Sequence, residues 1–591
     1  MTSLKNKPEQ EKRDARVLRL YEQLLEVEQR LIPTGLHVFG QAPESGELQA
    51  LLEVVVSFDR FDPDPHAGSA DSGPAVRALT GLIARGLGFQ SYQSLVENSG
   101  VSESSAADRQ RVESLLGRTI ELFLSSPGDQ GATAASAFLF EQAGVPLNES
   151  LSTFNLLDRI RGQLSENSEL DALAAALRGE YIVPGPGADI IQNPDVLPTG
   201  RNTHAVNPYL IPSPIAVRRA AGIAEALLQR FLNEKGRYPE TMAMVLWGID
   251  NIKTQGEAVA QALHLLGVKP RRDSLNRATG VEVIPLEILG RPRIDVVMTV
   301  SGIFRDLFGS TMTLLDTAVR TVAELNEPDE MNFVKRHVLE QIEGGTGLDD
   351  ATARVFSNAA GNYGTNVNFM VLDSQWQTGS ELGDLFVTRK CFAYGRGRDA
   401  AQSRAMMENC LSRVELTYQN IDSSEIGVTD VDHYFEYLGG VSRAVEQRAG
   451  SRPSIYLSDS TNAYARVRTL EETIRLETRT KTLNPKWYEG LLKHGFSGVA
   501  EIEHHVTNTF GWSATADAVD NWIYDEVAET FVLDEAMLER LKGLNLDSTR
   551  SMVGRLLEAA GRGIWDADEK TLERLRGAFE DIEDRIEGVV A

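Results

Sequence analysis

Cysteine is nearly missing: Cys391 and Cys410 are the only two in 591 residues. That excludes a disulfide framework. With no C-x-x-C partner the two make a poor metal pair and read as buried thiols. Basic charge is in deficit, with 59 Lys and Arg against 85 Asp and Glu, a net charge of −26. A general nucleic-acid binder needs a basic field, so that class is excluded. No apolar run reaches the ~18 residues of a membrane span. The first residues, "MTSLKNKPEQEKRDARV", are too polar for a secretory signal. Together these absences predict a soluble, cytoplasmic protein. Phosphate-binding signatures are absent too. "EGGTG" (343–347) lacks the Gly-Lys-Ser/Thr that completes a P-loop, and neither GxSxG nor HExxH occurs. No internal repeat is visible.

The chain does hold ample apolar material, 42% of residues, and a length that suggests roughly three or four domains. Residues 12–32 carry helical apolar spacing, and "LHVFG" (36–40) reads as a short strand. From 47 to 178 the segments are amphipathic helices separated by turn-rich linkers at 64–73 and 127–131. A long irregular passage follows, 179–214. Beyond it, helical and strand patterns alternate. "YPETMAMVLWG" (238–248), "GVEVIPLEILG" (280–290) and "RIDVVMTVSG" (293–302) are strand candidates, and 303–325 is read as one helix. Strand–helix alternation with short turns predicts a parallel sheet covered by helices. Its ligand-facing loops would follow Trp247-Gly248 and Ser301-Gly302. The expected fold is α/β, mixed in character: a helix-rich multidomain chain around a central, mostly parallel sheet. The expected division is a helical region over 1–180, an α/β region with polar loops over 181–400, and a mainly helical region over 401–591.

Three polar stretches are candidate sites. In "DVLPTGRNTHAVNPYLIPSP" (195–214), Arg201, Asn202 and His204 stand on a backbone bent by proline and glycine. Arg201 can pair bidentately with a carboxylate, or the loop's side chains can simply satisfy its own backbone. In "TDVDHYFEYLGG" (429–440), His433 and Glu436 are i and i+3 neighbours on a helix, and Asp432 and Glu436 lie one turn apart. Such a set can bind a divalent ion or move protons; the alternative is acidic residues favouring a helix N-terminus. In "GNYGTNVNFMVLDSQWQ" (361–377), Tyr363, Asn366 and Trp376 place aromatic faces beside amides, suited to a flat ligand or to core and turn use. In "EHH" (503–505), adjacent histidines on a helix point about 100° apart and rarely share an ion, so these are read as surface residues.

Several long stretches resemble one family. They are "GPGADIIQNPDVLPTGRN", "YPETMAMVLWGIDNIKTQGEAVAQALHLLGVKP", "GRPRIDVVMTVSGIFRD", "AAGNYGTNVNFMVLDSQW", "RTLEETIRLETRTKTLNPKWYEG" and "NTFGWSATADAVDNWIYDEVAETFVLDEAM". Together they are similar to the large, porphyrin-binding subunit of magnesium chelatase, and more distantly to the cobaltochelatase large subunit. "YQNIDSSEIGVTDVDHYFEYLGG" and "NPKWYEG" look like the magnesium branch. The resemblance implies an enzyme that inserts Mg²⁺, as substrate, into protoporphyrin IX on the route to chlorophyll and bacteriochlorophyll. It also implies two AAA+-type ATPase partner subunits that use the ATP, which fits a chain without a phosphate-binding loop. In that setting His433, Glu436 and Asp432 would accept protons and deliver the ion, with Glu436 and Asp432 as its ligands. Arg201, Asn202, His204, Tyr363, Asn366 and Trp376 would meet the porphyrin. The family's His-x-Gly-x-His-Gly-x-Leu-Glu stretch is not found. The expectation is therefore the C-terminal part of the large subunit: a fragment, a truncated relative, or half of a split subunit with a separate N-terminal half. A porphyrin-binding or motor-docking module without chelation, and a cobalt-inserting relative, are the alternatives.

Overall fold

The computed structural model describes Val17, Leu24 and residues 38–59, 76–98, 103–126, 128–187, 190–191, 194–204, 207–423, 425–460 and 466–589. The chain divides into two compact units. One comprises residues 1–31, 37–204 and 461–464, the other 32–36, 205–460 and 465–591. Of the helix expected over 12–32, only Val17 and Leu24 are described, and both are helical. The linker expected at 64–73 lies outside the described residues.

The first unit is helical. Helices Ser45–Val55, Leu79–Gly86, Glu103–Leu124, Asp129–Ala143 and Leu147–Ser165 bury Leu52, Ile83, Val112, Leu139 and Leu157 in one core. The Phe123 and Phe154 rings stack there at 5.5 Å. Of the strand expected at 36–40 only residues 38–40 are described, and they are irregular and turn, with Gly40 at φ +87. The polar loop contributes a minimal parallel pair, β1 (Pro184–Pro186) and β2 (Asn202–His204).

The second unit holds the main sheet, built from β3 (Thr241–Leu246), β6 (Asp295–Val300), β7 (Val355–Ser357), β8 (Phe392–Gly395), β9 (Arg398–Gln402), β10 (Leu416–Ile421), β11 (Ser454–Asp459) and β12 (Arg466–Thr469). The spatial order is β12-β11-β10-β3-β6-β7-β8-β9. The five strands from β11 to β7 run parallel; β12 and β8 run against them at the two sides, and β9 pairs antiparallel with β8. "TMAMVL" and "DVVMTV" are buried at every position, as strands covered on both faces must be. Side chains alternate between two cores. Met242, Met244, Leu246, Val296, Met298 and Val300 enter one, and Ala243, Val245 and Val297 enter the other. The chain passes from β3 to β6 on one side and returns to β10 on the other, so the strand order reverses between β3 and β10. In open parallel sheets, ligands bind outside the carboxyl ends of the strands at such a reversal.

Several sequence expectations change here. The 280–290 strand becomes β5 (Ala278–Val283), which pairs with β4 (Val268–Arg272) in a hairpin outside the main sheet, followed by the short helix Leu286–Leu289. The helix expected over 303–325 is two, Gly302–Leu307 and Gly309–Ala323, because Phe308 leaves helical geometry at φ −116 ψ 39. The division expected at residue 400 runs through one sheet: β10, β11 and β12 all lie beyond it. β10, "LTYQNI", hides its strand character because its polar side chains face polar partners inside the protein. The Tyr418 hydroxyl donates to Gln261 Oε1 at 3.0 Å, and Gln419 Oε1 accepts from Trp247 Nε1 at 3.1 Å.

Candidate functional site

The carboxyl ends of β3 and β6 are tied together. Ser301 caps the helix Gly302–Leu307, its hydroxyl accepting from Phe304 N, and it also accepts from Gly248 N at 3.1 Å. The next residues pack closely enough to require glycine. A Cβ on Gly248 would stand 2.6 Å from Ile303 Cγ2, and one on Gly302 would stand 2.9 Å from Tyr363 Cα. This edge carries exposed apolar side chains: Ile249 (53%), Ile303 (41%) and Tyr363 (54%). Trp247 leans against Tyr437 at 4.6 Å and Tyr434 at 5.5 Å.

Beside this edge stands the predicted acid–base group. Asp432–Tyr434 is a single helical turn that widens into a π-helix over Phe435–Gly439 before the helix Gly440–Ala449 resumes. Such widened turns are rare and frequently accompany functional sites. Glu436 is completely buried. Its Oε1 accepts from Thr365 N, from Thr365 Oγ1 at 2.9 Å and from Asn366 N at 2.9 Å. Its Oε2 lies 2.7 Å from His433 Nδ1. The carboxylate accepts, so the ring hydrogen is on Nδ1 and Nε2 is left as an acceptor. The His433 side chain is 60% exposed. The hydrogen bond His433 donates to Glu436 raises its pKa above 6.5, burial opposes this, and Asp432 adds to it. Asp432 Oδ2 accepts from Asn368 Nδ2 at 2.6 Å, and its Oδ1 lies 3.9 Å from His433 Nδ1.

The structure thus brings His433, Glu436, Asp432, Asn366 and Tyr363 together. Asn366, at φ 64, opens the helix Val367–Leu372. Tyr363 accepts at its carbonyl from the Tyr437 hydroxyl, and its own hydroxyl donates to Asp306 Oδ2 at 2.7 Å. Glu436 has both oxygens engaged inside the protein. This geometry suits orienting His433 and leaves Asp432 as the more accessible carboxylate. Trp376 is placed differently. It follows the helix Val367–Leu372, lies under the Arg562 guanidinium at 4.1 Å, and lines a cavity of about 600 Å³ with Arg443 and Asp517. Neither His433 nor Glu436 is among that cavity's lining residues. Arg201 and Asn202 belong to the first unit with His204. There Arg201 donates to the Leu197 carbonyl at 3.0 Å and packs against Gly185, where a Cβ would stand 3.3 Å from Arg201 Cβ.

Four features escaped the sequence reading. Lys390 is fully buried, and its Nζ donates to the Val300 carbonyl at 2.7 Å and faces the Tyr437 ring at 3.9 Å. Burial pushes its pKa well down, against the pull of Glu436. Asp250 and Asp422 are buried behind the reversal point. Burial, then Asp422 and Glu257, push the Asp250 carboxyl well above the usual range. Lys253 pairs with Asp422 at 3.0 Å. A better signal existed in the sequence: Asp422 directly follows β10 in "NID", and Asp250 lies in the first turn of the helix after β3 in "WGID". Third, His505 is not a surface residue. His504 is 62% exposed, but His505 is fully buried, with Nε2 2.8 Å from Asp430 Oδ1. Ligand-type atoms of Asp430, Glu501 and His505 lie within 4.8 Å of one another, yet the Lys481 ammonium already pairs with Asp430 and supplies a cation there. Fourth, Glu477 is buried and grips the residues just before Asp430.

Comparison with known proteins agrees with this architecture. Residues 2–572 match the family described as CobN/Magnesium Chelatase. The chain is 43% identical to magnesium-chelatase subunit ChlH of Oryza sativa subsp. japonica over 605 residues, covering 98% of this chain and 43% of that protein. It is 48% identical to the corresponding magnesium-chelatase protein of Cereibacter sphaeroides over 434 residues, covering 73% and 36%. The catalytic subunit of cobaltochelatase from Mycobacterium tuberculosis superimposes with a TM-score of 0.86 at 29% identity, covering 96% of this chain and 47% of that one. The chain therefore spans less than half the length of each of these relatives. Its sequence over 2–572 and its mixed α/β fold place it in the CobN/magnesium chelatase family of chelatase large subunits.

Proposed function

We propose that this chain forms the part of a magnesium chelatase large subunit that receives protoporphyrin IX and accepts its protons as Mg²⁺ enters the ring. The observation that carries the reading is the exposed His433 imidazole held by a fully buried Glu436, beside the apolar edge of Ile249, Ile303 and Tyr363. A free porphyrin carries two pyrrolic hydrogens. Exchange of Mg²⁺ for both releases two protons, and His433 Nε2 takes each in turn and passes it to solvent. Glu436 fixes the ring and stabilises the imidazolium. Mg²⁺ holds its water shell tightly and prefers oxygen ligands; Asp432 supplies an oxygen that replaces one water. The flat apolar ring lies on the exposed side chains of Ile249, Ile303 and Tyr363, where contact removes apolar surface of both from water. In this reading the two ATPase partners expected from the family resemblance supply the ATP-driven step. The higher identity to magnesium-chelatase subunits than to Sinorhizobium cobaltochelatase subunit CobN, 35% over 420 residues, favours Mg²⁺ over cobalt.

The test is His433→Ala in the complete subunit, assayed with both ATPase partners while porphyrin binding is followed by fluorescence quenching. Insertion is expected to fall by about 10²–10⁴-fold, the usual contribution of a positioned base, with binding retained. Wild-type insertion would refute the role of His433. Binding by the unaltered protein with no insertion of any metal would identify a carrier module, and a preference for Co²⁺ in metal competition would move the chain to the cobalt branch.

A further inference from the structure

The helices that follow β3 and β6 carry one cation each. Lys253, on Gly248–Lys253, is paired with Asp422 at 3.0 Å. Arg305, on Gly302–Leu307, lies against the apolar edge: its guanidinium is 5.3 Å from the centre of the Tyr363 ring, and the residue is 5% exposed. Its Nη1 donates to the carbonyls of Asn358 at 3.4 Å, Ala359 at 2.8 Å and Asn362 at 2.7 Å. Its Nε donates to Asp306 Oδ1 at 2.7 Å. Its Nη2 has no hydrogen-bond partner among the described residues.

Nε and Nη2 form the side of a guanidinium that grips a carboxylate through two parallel bonds. Other buried arginines of this protein use it in that way. Arg293 holds Glu327 at 2.7 and 2.8 Å, and Arg354 holds Asp295 at 2.8 and 3.0 Å, each through Nε and Nη2. At Arg305 the grip is half made. Asp306 gives one oxygen to Nε and turns the other, Oδ2, to the Tyr363 hydroxyl at 2.7 Å. The Asp306 side chain is 42% exposed, so it can swing into water. An unanswered N–H on a buried guanidinium is costly, and a carboxylate that matches the whole fork relieves that cost. Arg201, the cation that the sequence suggested for a carboxylate, donates instead to the Leu197 carbonyl.

We propose that Arg305 and the Tyr363 hydroxyl form a carboxylate clamp that takes one propionate of the porphyrin, with Asp306 holding that place until the ring arrives. The propionate displaces the Asp306 carboxylate toward solvent, accepts from both Nε and Nη2 of Arg305, and accepts from the Tyr363 hydroxyl as well. Ile303, on the same helix as Arg305, and the Tyr363 ring meet the face of the macrocycle at the same time. The clamp thereby sets the rotation of the ring on the apolar edge and selects tetrapyrroles with a free carboxylate over esterified ones. The inference rests on the porphyrin reading given above, so its test reads carboxylate recognition separately from porphyrin binding.

The experiment is fluorescence titration of the full chain with protoporphyrin IX and with its dimethyl ester, which has the same ring and no carboxylate, in one detergent-containing buffer. The unaltered protein is expected to bind the free acid about tenfold or more tightly than the ester, the scale of a hydrogen-bonded charge. In Arg305→Gln the free acid is expected to fall to the affinity of the ester, with the ester unchanged. In Asp306→Asn the free acid is expected to bind severalfold more tightly, because the clamp no longer has to release a carboxylate, again with the ester unchanged. A free-acid preference that survives Arg305→Gln overturns the proposal. Thermal unfolding checks that this variant folds, since it also loses the bonds to the 358–362 loop. If it does not fold, Asp306→Asn decides: a free-acid preference no larger than that of the unaltered protein overturns the proposal. Equal binding of acid and ester by the unaltered protein overturns the clamp and leaves the porphyrin reading standing. Binding of neither overturns both.

Discussion

His433 and Asp250 show how placement of one side chain sets its chemistry. His433 is basic because a buried carboxylate holds one ring nitrogen while the other meets solvent. Asp250 is the reverse case: a carboxyl in the interior, beside two further carboxylates, whose ionisation is disfavoured by burial first and by Asp422 and Glu257 next. Its folded pKa is raised, so the native state loses stability as pH climbs from the unfolded value of about 3.9 through the folded one. Asp250→Asn is therefore expected to raise the denaturation midpoint at pH 8 and to leave it nearly unchanged at pH 4, as measured by urea titration at the two pH values. Equal effects at both would contradict this assignment. The i, i+3 spacing of His433 and Glu436 was legible from the sequence because their contact is local. Glu477, Lys481 and His505 were not, because their partners lie some 50 to 75 positions away and only the fold brings them near. "EHH" misled for a related reason: one helix turned His504 outward and His505 inward, and nothing nearby marks which face is buried.

Among elements, the central strands were readable where they are wholly apolar, as β3 and β6 nearly are, and unreadable where polar residues are satisfied inside, as in β10. The same distinction governs stability at the amino end of the sheet. Asp295 opens β6 and is buried. It accepts from Arg354 Nε at 2.8 Å and Nη2 at 3.0 Å and lies 2.9 Å from His337 Nδ1. Burial pushes its pKa up, but Arg354 and His337 outweigh burial and hold the carboxyl far below the usual range. A depressed folded pKa gives stability that is present above about pH 4 and lost only in strong acid. Asp295→Asn leaves the Arg354 guanidinium buried without its counter-ion. It is expected to cost about 3–5 kcal/mol, read from denaturant midpoints at pH 7. A loss below about 1 kcal/mol would show that the pair does not organise the amino end of the sheet. The π-helical turns were beyond sequence reading altogether, since an inserted residue leaves helical apolar spacing only slightly disturbed.

For the molecule as a whole, the main sheet lies entirely within the second unit, from β3 to β12, with a core on each face. A polypeptide beginning at residue 205 is expected to fold with a cooperative unfolding transition and to keep the His433 titration of the full chain. A non-cooperative melt would show that the first unit is needed to complete it. The family was legible because long matching stretches recur between Gly185 and Met537, whereas the boundary expected at residue 400 failed because a sheet can gather strands across any helical interval. Proton removal from the porphyrin by His433 is the step on which the proposed role depends. The most direct test is the pH–rate profile for Mg²⁺ insertion by the complete subunit with its ATPase partners, for the unaltered protein and for Glu436→Gln. The base must be unprotonated to act, and Glu436 raises its pKa. The acidic limb should therefore lie above pH 6.5 in the unaltered protein and move down in the variant, with a lower plateau. A limb at the same pH in both proteins would contradict the account.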